Sequence, residues 1–354
     1  MGEAKAPRKR RHIAITVSAA AFIAIASTAS AEDFYQGKVL RLVVGSDTGG
    51  GYDAYARLLA QYWPKYIPGH PQIVVQNMPG AGSLTAMNYV ANAASKDGLT
   101  VGAMQNTIGY EPMMGISGGK ENDHFNVLDM NWVGSMAKEV AVSVLWNPPP
   151  VHSLQEMIDT KTMVTTGSSG SATSNTIFAR LMNSLIGTHF NVVHGYPNQS
   201  PIWLAMERGE VQGSAGPFYS SLENSKPDWL RDKKITILVQ MALEKHPDLP
   251  DVPLLLDFAK TSQDRQEMEL AVASLSMGRP FVLPSGVPTD RVKILNDSFM
   301  AAAKDPDLLA EAAKEHLEIN AIDGAAVHKI LVDMYATPQS IIDKVTAIFV
   351  PKGG

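Results

Sequence analysis

The stretch VLRLVVGSDTGGGYDAYARLLAQYW, residues 39–63, joins an apolar run to an amphipathic run through three consecutive glycines. Val39–Val44 reads as a buried strand, because a short apolar run bounded by turn residues has strand length. Beyond the glycines, Tyr55, Leu58, Leu59 and Tyr62 recur at i, i+3, i+4 and i+7, which lays one apolar stripe along a helix over 52–62. Strand, glycine loop and helix in succession make the repeating unit of an α/β layer. The loop's backbone N–H groups, at the positive end of the helix dipole, suit an anion.

The same alternation continues along the chain. Further strands are read at 72–75, 99–104, 140–145, 163–166, 191–194 and 235–241. Helices are read at 83–93, 154–159, 174–185, 202–208, 263–273, 289–304, 306–316, 325–335 and 339–349. This order predicts α/β layers with largely parallel sheets. Proline- and glycine-rich punctuation at 146–150 and 277–288 marks crossings between two lobes, with hinge segments near 135–144 and 273–282. The predicted organisation is a discontinuous first lobe (32–139 and 280–354), completed by the last helices, around a second lobe (140–279).

Residues 1–31 read as a cleaved export signal: Lys5, Arg8, Lys9, Arg10 and Arg11 precede an apolar run, and Ala29-Ser30-Ala31 has the small-x-small form of a cleavage site. The apolar run is short for a bilayer span of about 20 residues. Cleavage removes five Lys/Arg and one Asp/Glu, which takes the formal net charge from -5 to -9. Such a balance disfavours nucleic acid and anionic lipid as partners. With no cysteine, the chain has neither a disulfide framework nor a thiolate for catalysis or zinc. The expectation is a monomeric periplasmic protein, stable through packing alone.

Four polar loops follow predicted strands: 45–51, 105–110, 167–174 and 195–200. They supply the candidate ligand-binding residues Ser46, Thr48, Gly49, Gly50, Asn106, Thr107, Gly167, Ser168, Ser171, Thr173, Tyr196, Pro197 and Asn198. Gly45 and Gly50 are followed by Gly51 and Tyr52, so the lysine of a Walker A loop is missing, and G-x-G-x-x-G spacing is absent too. No loop carries lysine or arginine. A carboxylate held by neutral N–H and hydroxyl donors fits better than a nucleotide phosphate. A glycine-rich turn also serves simply as a tight turn, and Asp53 in the first turn of its helix serves to complement the dipole. Tyr110 and Tyr196 are expected as pocket walls. The run 167–171 approaches a nucleophile elbow, but serine stands at 171 where G-x-S-x-G requires glycine. No metal-binding spacing occurs, and no cofactor is expected.

Six blocks in order then resemble the substrate-binding receptors of tripartite tricarboxylate transporters, the Bug receptors. They are residues 39–60, VVQNMPGAGSLTA (74–86), SKDGLTVGA (95–103), TTGSSGSATSNTIFARLM (165–182), VVHGYPNQSPIWLAMERGEVQG (192–213) and FVLPSGVPTDRVKILNDSF (281–299). The resemblance implies a two-lobed, type II-like periplasmic-binding-protein (Venus flytrap) fold. It also implies a receptor that delivers small organic acids to a membrane permease of one large and one small subunit. It implies a ligand carboxylate pinched between residues 46–50 and residues 167–173 with 196–198, largely by backbone groups and waters. The chain departs from the family at Gly45-Ser46-Asp47, where a proline and an aromatic residue are usual, and at Gly216, where an aspartate is frequent. Asp47 would repel an anion if it faced the cleft. Two other functions are compatible with the residues: a hydrolase or transferase using Ser168 or Ser171 with His194, and a sensor subunit.

Overall fold

The computed structural model describes residues 1–4, 34–117 and 119–350. From residue 5 onward the leader expected over 1–31 lies outside them. The strands are β1 (Val39–Val44), β2 (Gln72–Asn77), β3 (Thr100–Ala103), β4 (Asn131–Ser135), β5 (Ala141–Trp146), β6 (Val164–Gly167), β7 (Phe190–Val193), β8 (Gly213–Ser214), β9 (Ile235–Met241), β10 (Pro280–Leu283) and β11 (Ile322–Asp323). They form a six-stranded sheet in the order β11-β4-β10-β3-β1-β2 and a five-stranded sheet in the order β7-β6-β8-β5-β9. The expected two-lobed α/β architecture is present, but both sheets are mixed. β1 runs parallel to β2 and β3, whereas β10 is antiparallel to β3 and β4. In the second sheet β6 is parallel to β7 and β8, while β5 is antiparallel to β8 and β9. The antiparallel strands include the two that enter a sheet straight after a crossing, β5 and β10. A strand–helix alternation shows βαβ units and does not show the direction of a strand arriving from elsewhere.

The helices that matter to the site are α1 (Gly51–Tyr62), α2 (Ser174–Leu185), α3 (Gln199–Glu207), α4 (Tyr219–Ser225), α5 (Ser262–Ala273), α6 (Thr289–Ala302), α7 (Gly324–Tyr335) and α8 (Gln339–Phe349). α1 buries Tyr55, Leu58 and Leu59 against the first sheet, as its apolar stripe predicts. Trp63 and Phe299 of α6 meet edge-on at 5.8 Å beneath that sheet. Under the second sheet Trp229 packs between Trp146 at 4.8 Å and Trp203 at 5.3 Å. The sequence pattern returns the last helices to the first lobe; α6 and α7 do pack on β4, but α8 lies against α2 and α5. Its buried face, Ile341, Ile342, Val345 and Phe349, finds apolar surface there, and Arg180 of α2 donates to the Phe349 carbonyl at 2.7 Å. An amphipathic repeat says that a face is buried and leaves open which surface covers it.

The two connections between the sheets run side by side. Glu139 N–H donates to the Leu275 carbonyl at 2.8 Å, and Met136 N–H to the Arg279 carbonyl at 3.2 Å. Among the described residues no helix is long and apolar enough to cross a membrane.

Candidate functional site

The loops after β1 and β2 face the loops after β6 and β7 across a cavity of about 270 Å³. α1, α2 and α3 all begin at its wall. The first N–H groups of a helix have no intrahelical acceptor, so each start presents donors and a positive dipole end to the same space.

The first wall is built by long-range anchors. Gly49 has φ of +83°, a left-handed conformation that glycine adopts without steric cost. Its N–H donates to Asp53 Oδ2 at 2.9 Å, and Asp53 also accepts from Arg57 at 2.9 Å and from Asn77 at 2.9 Å. Burial works to raise the Asp53 pKa, but these bonds outweigh it and hold the carboxyl below its ordinary range. Asp53 therefore fixes the loop and does not line the cavity. Ser83, itself left-handed at φ +79°, donates to the Gly45 carbonyl at 2.8 Å and accepts from Gln105 N–H at 2.9 Å. One hydroxyl thus ties together the loops after β1, β2 and β3. The Ser46 hydroxyl oxygen is buried without a protein partner at the cavity wall.

The opposite wall is braced by its own hydroxyls. Ser168 Oγ lies 3.0 Å from Thr173 Oγ1 and 2.7 Å from Thr176 Oγ1, and the Thr173 and Thr176 hydroxyls donate to the Gly170 carbonyl at 2.9 and 2.8 Å. Asn175 donates to Gln199 Oε1 at 2.9 Å, which joins the starts of α2 and α3. The Asn198 side chain caps α3 by accepting from Ser200 N–H at 3.0 Å.

The floor holds Arg279, 2% exposed, on the crossing segment before β10. Its Nε donates to Glu139 Oε1 at 2.6 Å and its Nη2 to Ser220 and Ser221 of α4 at 3.2 and 3.3 Å. The guanidinium carbon sits 4.5 Å from the Tyr52 ring centre, 4.8 Å from Tyr55 and 5.0 Å from Phe218. Burial pushes the Glu139 carboxyl up from its ordinary value, against the opposing pull of Arg279 and the Ser220 hydroxyl. Gly51 explains the third glycine of the opening stretch. A Cβ there would come within 2.8 Å of Ser221 Oγ and 2.9 Å of Arg279 Nη2, so only a bare backbone leaves room for the guanidinium.

Of the sequence candidates, Ser46, Gly50, Thr173, Pro197 and Asn198 line the cavity. Gly49 faces a smaller space between α1, α3 and α4. Thr48 and Ser171 are exposed and away from the lining. Gly167, Ser168 and Tyr196 stand behind the second wall, where Gly167 packs against Tyr196 and Ile202. Asn106 is buried behind the floor, accepting from the Tyr52 hydroxyl at 3.0 Å and donating to Ser274 at 3.2 Å, while the Thr107 hydroxyl is buried without a partner. Tyr110, expected as a pocket wall, is core: its hydroxyl donates to the Leu270 and Ala271 carbonyls. Tyr52 takes that place in the cavity. Asp47 does line the cavity, at an exposed position. His194 is exposed, and among the described residues no hydrogen bond joins it to Ser168 or Ser171.

Sequence reasoning missed Arg279, Asn175, Gln199, Ser221 and the turn Pro79-Gly80-Ala81-Gly82, all of which line the cavity. The glycine turn after the second predicted strand was a local signal for the last of these. Arg279 carried no local signal, because the crossing segment that bears it reads as a hinge.

Two α/β sheets joined by paired crossings, with a cavity at the facing strand ends, make the two-lobed periplasmic-binding-protein fold. The chain belongs to the tripartite tricarboxylate transporter family receptors, whose family model matches residues 56–347. A curated relative, the UPF0065 protein in the gbd 5' region of Cupriavidus necator, is 24% identical over 351 residues, covering 95% of this chain and 98% of its own. Among solved structures, Rpa4515 of R. palustris with adipate is 18% identical at a TM-score of 0.67, covering 88% of this chain and 97% of its own. MatC (Rpa3494) from Rhodopseudomonas palustris with bound malate is 19% identical at 0.65, covering 88% and 99%.

Proposed function

We propose that this protein is an extracytoplasmic receptor that captures a small organic carboxylate in the cavity between its sheets and delivers it to a tripartite tricarboxylate-type permease. The supporting observation is the convergence of three helix starts, the partnerless Ser46 hydroxyl and the Arg279 guanidinium on one cavity of about 270 Å³. Adipate and malate in the two structural neighbours are acids of the size and charge that such a cavity suits. In this reading residues 1–31 are a cleaved leader and the mature monomer works in the periplasm. The lobes 32–139 with 280–354 and 140–279 close about the segments near 135–144 and 273–282, and one large and one small permease subunit read the closed state.

The ligand is returned unchanged, and no catalysis belongs to this function. The hydroxyl of Ser168 is occupied within its own loop, far from the arrangement of a nucleophile and its base. A thermal-shift screen of the mature protein against dicarboxylates, tricarboxylates, aromatic acids and amino acids tests the reading. At 100 times the dissociation constant, a bound ligand stabilises by about 2.7 kcal/mol. Silence across all acids together with a response to ATP or NAD would overturn it, as would conversion of a bound acid detected by mass spectrometry.

A further inference from the structure

Arg279 and Asp47 are the charged residues that line the cavity. They are not equivalent. Asp47 is exposed, so water and salt screen it, whereas Arg279 is desolvated and acts at a much lower effective dielectric constant. The guanidinium is also held rigid. Its Nε and Nη2 bonds to Glu139, Ser220 and Ser221, together with Tyr52, Tyr55 and Phe218 around its plane, fix both position and orientation. Among the described residues Nη1 makes no hydrogen bond to protein, although it carries two N–H donors.

A buried ion pair is a poor device for stability alone, since packed apolar side chains do as well or better. Here the pair leaves one end of its cation unsatisfied beside the cavity, and Gly51 keeps the approach to it clear of any side chain. The helix starts on the two walls provide a separate set of neutral donors.

We propose that Arg279 contacts the ligand directly through Nη1 and holds one of its acidic groups while the helix starts hold another. The receptor therefore selects dianionic over monoanionic acids, with Glu139, Ser220 and Ser221 as positioning residues. This rests on the carboxylate reading above. It adds a specificity determinant carried by the crossing segment, outside the loops that bear the neutral donors. Because Glu139 and Arg279 belong to the two neighbouring crossings, a ligand on Nη1 also touches the segments about which closure is proposed.

Titration calorimetry on the mature protein with matched pairs (succinate and butyrate, adipate and hexanoate, malate and 3-hydroxybutyrate) reads the assignment. At least one dianion should bind wild type roughly tenfold or more tighter than its monoanionic partner, the range of one charge-assisted hydrogen bond. Arg279→Lys keeps the charge but cannot serve Glu139 and the ligand with one planar fork. It should bring that ratio towards one while the monoanion's affinity stays within about threefold. A merely structural arginine predicts equal losses for both acids, and that result, or a wild type without preference for any dianion, overturns the proposal. If Arg279→Lys does not fold, Gly51→Ala, which presses a methyl group onto the guanidinium, is read by the same ratio. If no acid of either charge binds wild type, it is the carboxylate reading itself that fails.

Discussion

The loops that open α1 and α2 look alike as sequence, one rich in glycine and the other in serine and glycine, yet the structure uses them differently. Residues 45–50 are held from outside, by Asp53, Asn77 and Ser83, and their small size clears space for other groups. Residues 168–173 are held from within, by hydroxyls that close on the Gly170 carbonyl. The first loop keeps the Ser46 hydroxyl without a protein partner at the cavity, while in the second the Ser168 and Thr173 hydroxyls are engaged within the loop. A run of small polar residues before a helix thus identifies a place in the fold and does not tell which of its groups can meet a ligand.

The largest break in this contrast should come from Asp53→Ala. It removes a buried carboxylate that accepts from three donors, so a loss of about 2–3 kcal/mol is expected in urea unfolding. Carboxylate affinity should fall as well, because Gly49 is released. Stability that falls by no more than in the second-loop variants below would show that both loops are held alike.

A second test uses Glu111, which is 1% exposed and stands behind the first wall. The Ser117 hydroxyl, 2.9 Å from the Ala81 carbonyl, donates to Glu111 Oε1, and the Ser117 N–H donates to Glu111 Oε2 at 3.1 Å. Burial pushes the Glu111 pKa up to about 7, against opposing bonds from Ser117. A carboxyl raised in the folded state favours folding below its unfolded pKa, and that contribution is lost as pH rises towards about 7. Wild type should therefore lose about 2 kcal/mol of stability from Glu111 between pH ~5 and ~7. Glu111→Gln should flatten that slope in melting curves; an unchanged slope would remove Glu111 as its source.

Gly51→Ala against Gly50→Ala sharpens the account of the glycines. Helix propensity favours alanine at position 51 by roughly 0.5–1 kcal/mol, but overpacking against Arg279 and Ser221 costs about 1–3 kcal/mol. The net loss should be about 1 kcal/mol, with weakened ligand binding. Gly50 has open space at the same point, so its alanine variant should melt near wild type. The reverse order would sink the close-approach argument.

The smallest effects belong to the second loop. Ser168→Ala should cost about 1 kcal/mol by opening the hydroxyl cluster, and Ser171→Ala less than about 0.5 kcal/mol, since Ser171 is exposed. A large loss of affinity in Ser171→Ala, with stability intact, would place its side chain on the ligand and reverse the contrast between the loops.

Much of the architecture was legible in the residues alone. Local periodicity named β1, β9, α1, α2, α5 and α8 closely, because apolar spacing and turn residues act over a few positions. The blocks in order pointed to the two-lobed class, and the loops at strand ends to the side of the sheets where a ligand belongs. The short strands β4, β8, β10 and β11 escaped, since two to five residues carry too little pattern and their pairing depends on chain that lies far away. Only the tertiary structure decided that the sheets are mixed, that α8 crosses to α2 and α5, and that Ser168 is occupied while Ser46 is free. Only it brought Arg279 beneath a loop 228 positions earlier, at Gly51. Hydrogen-bond satisfaction and desolvation belong to three-dimensional surroundings, and no run of sequence around a serine or an arginine contains them.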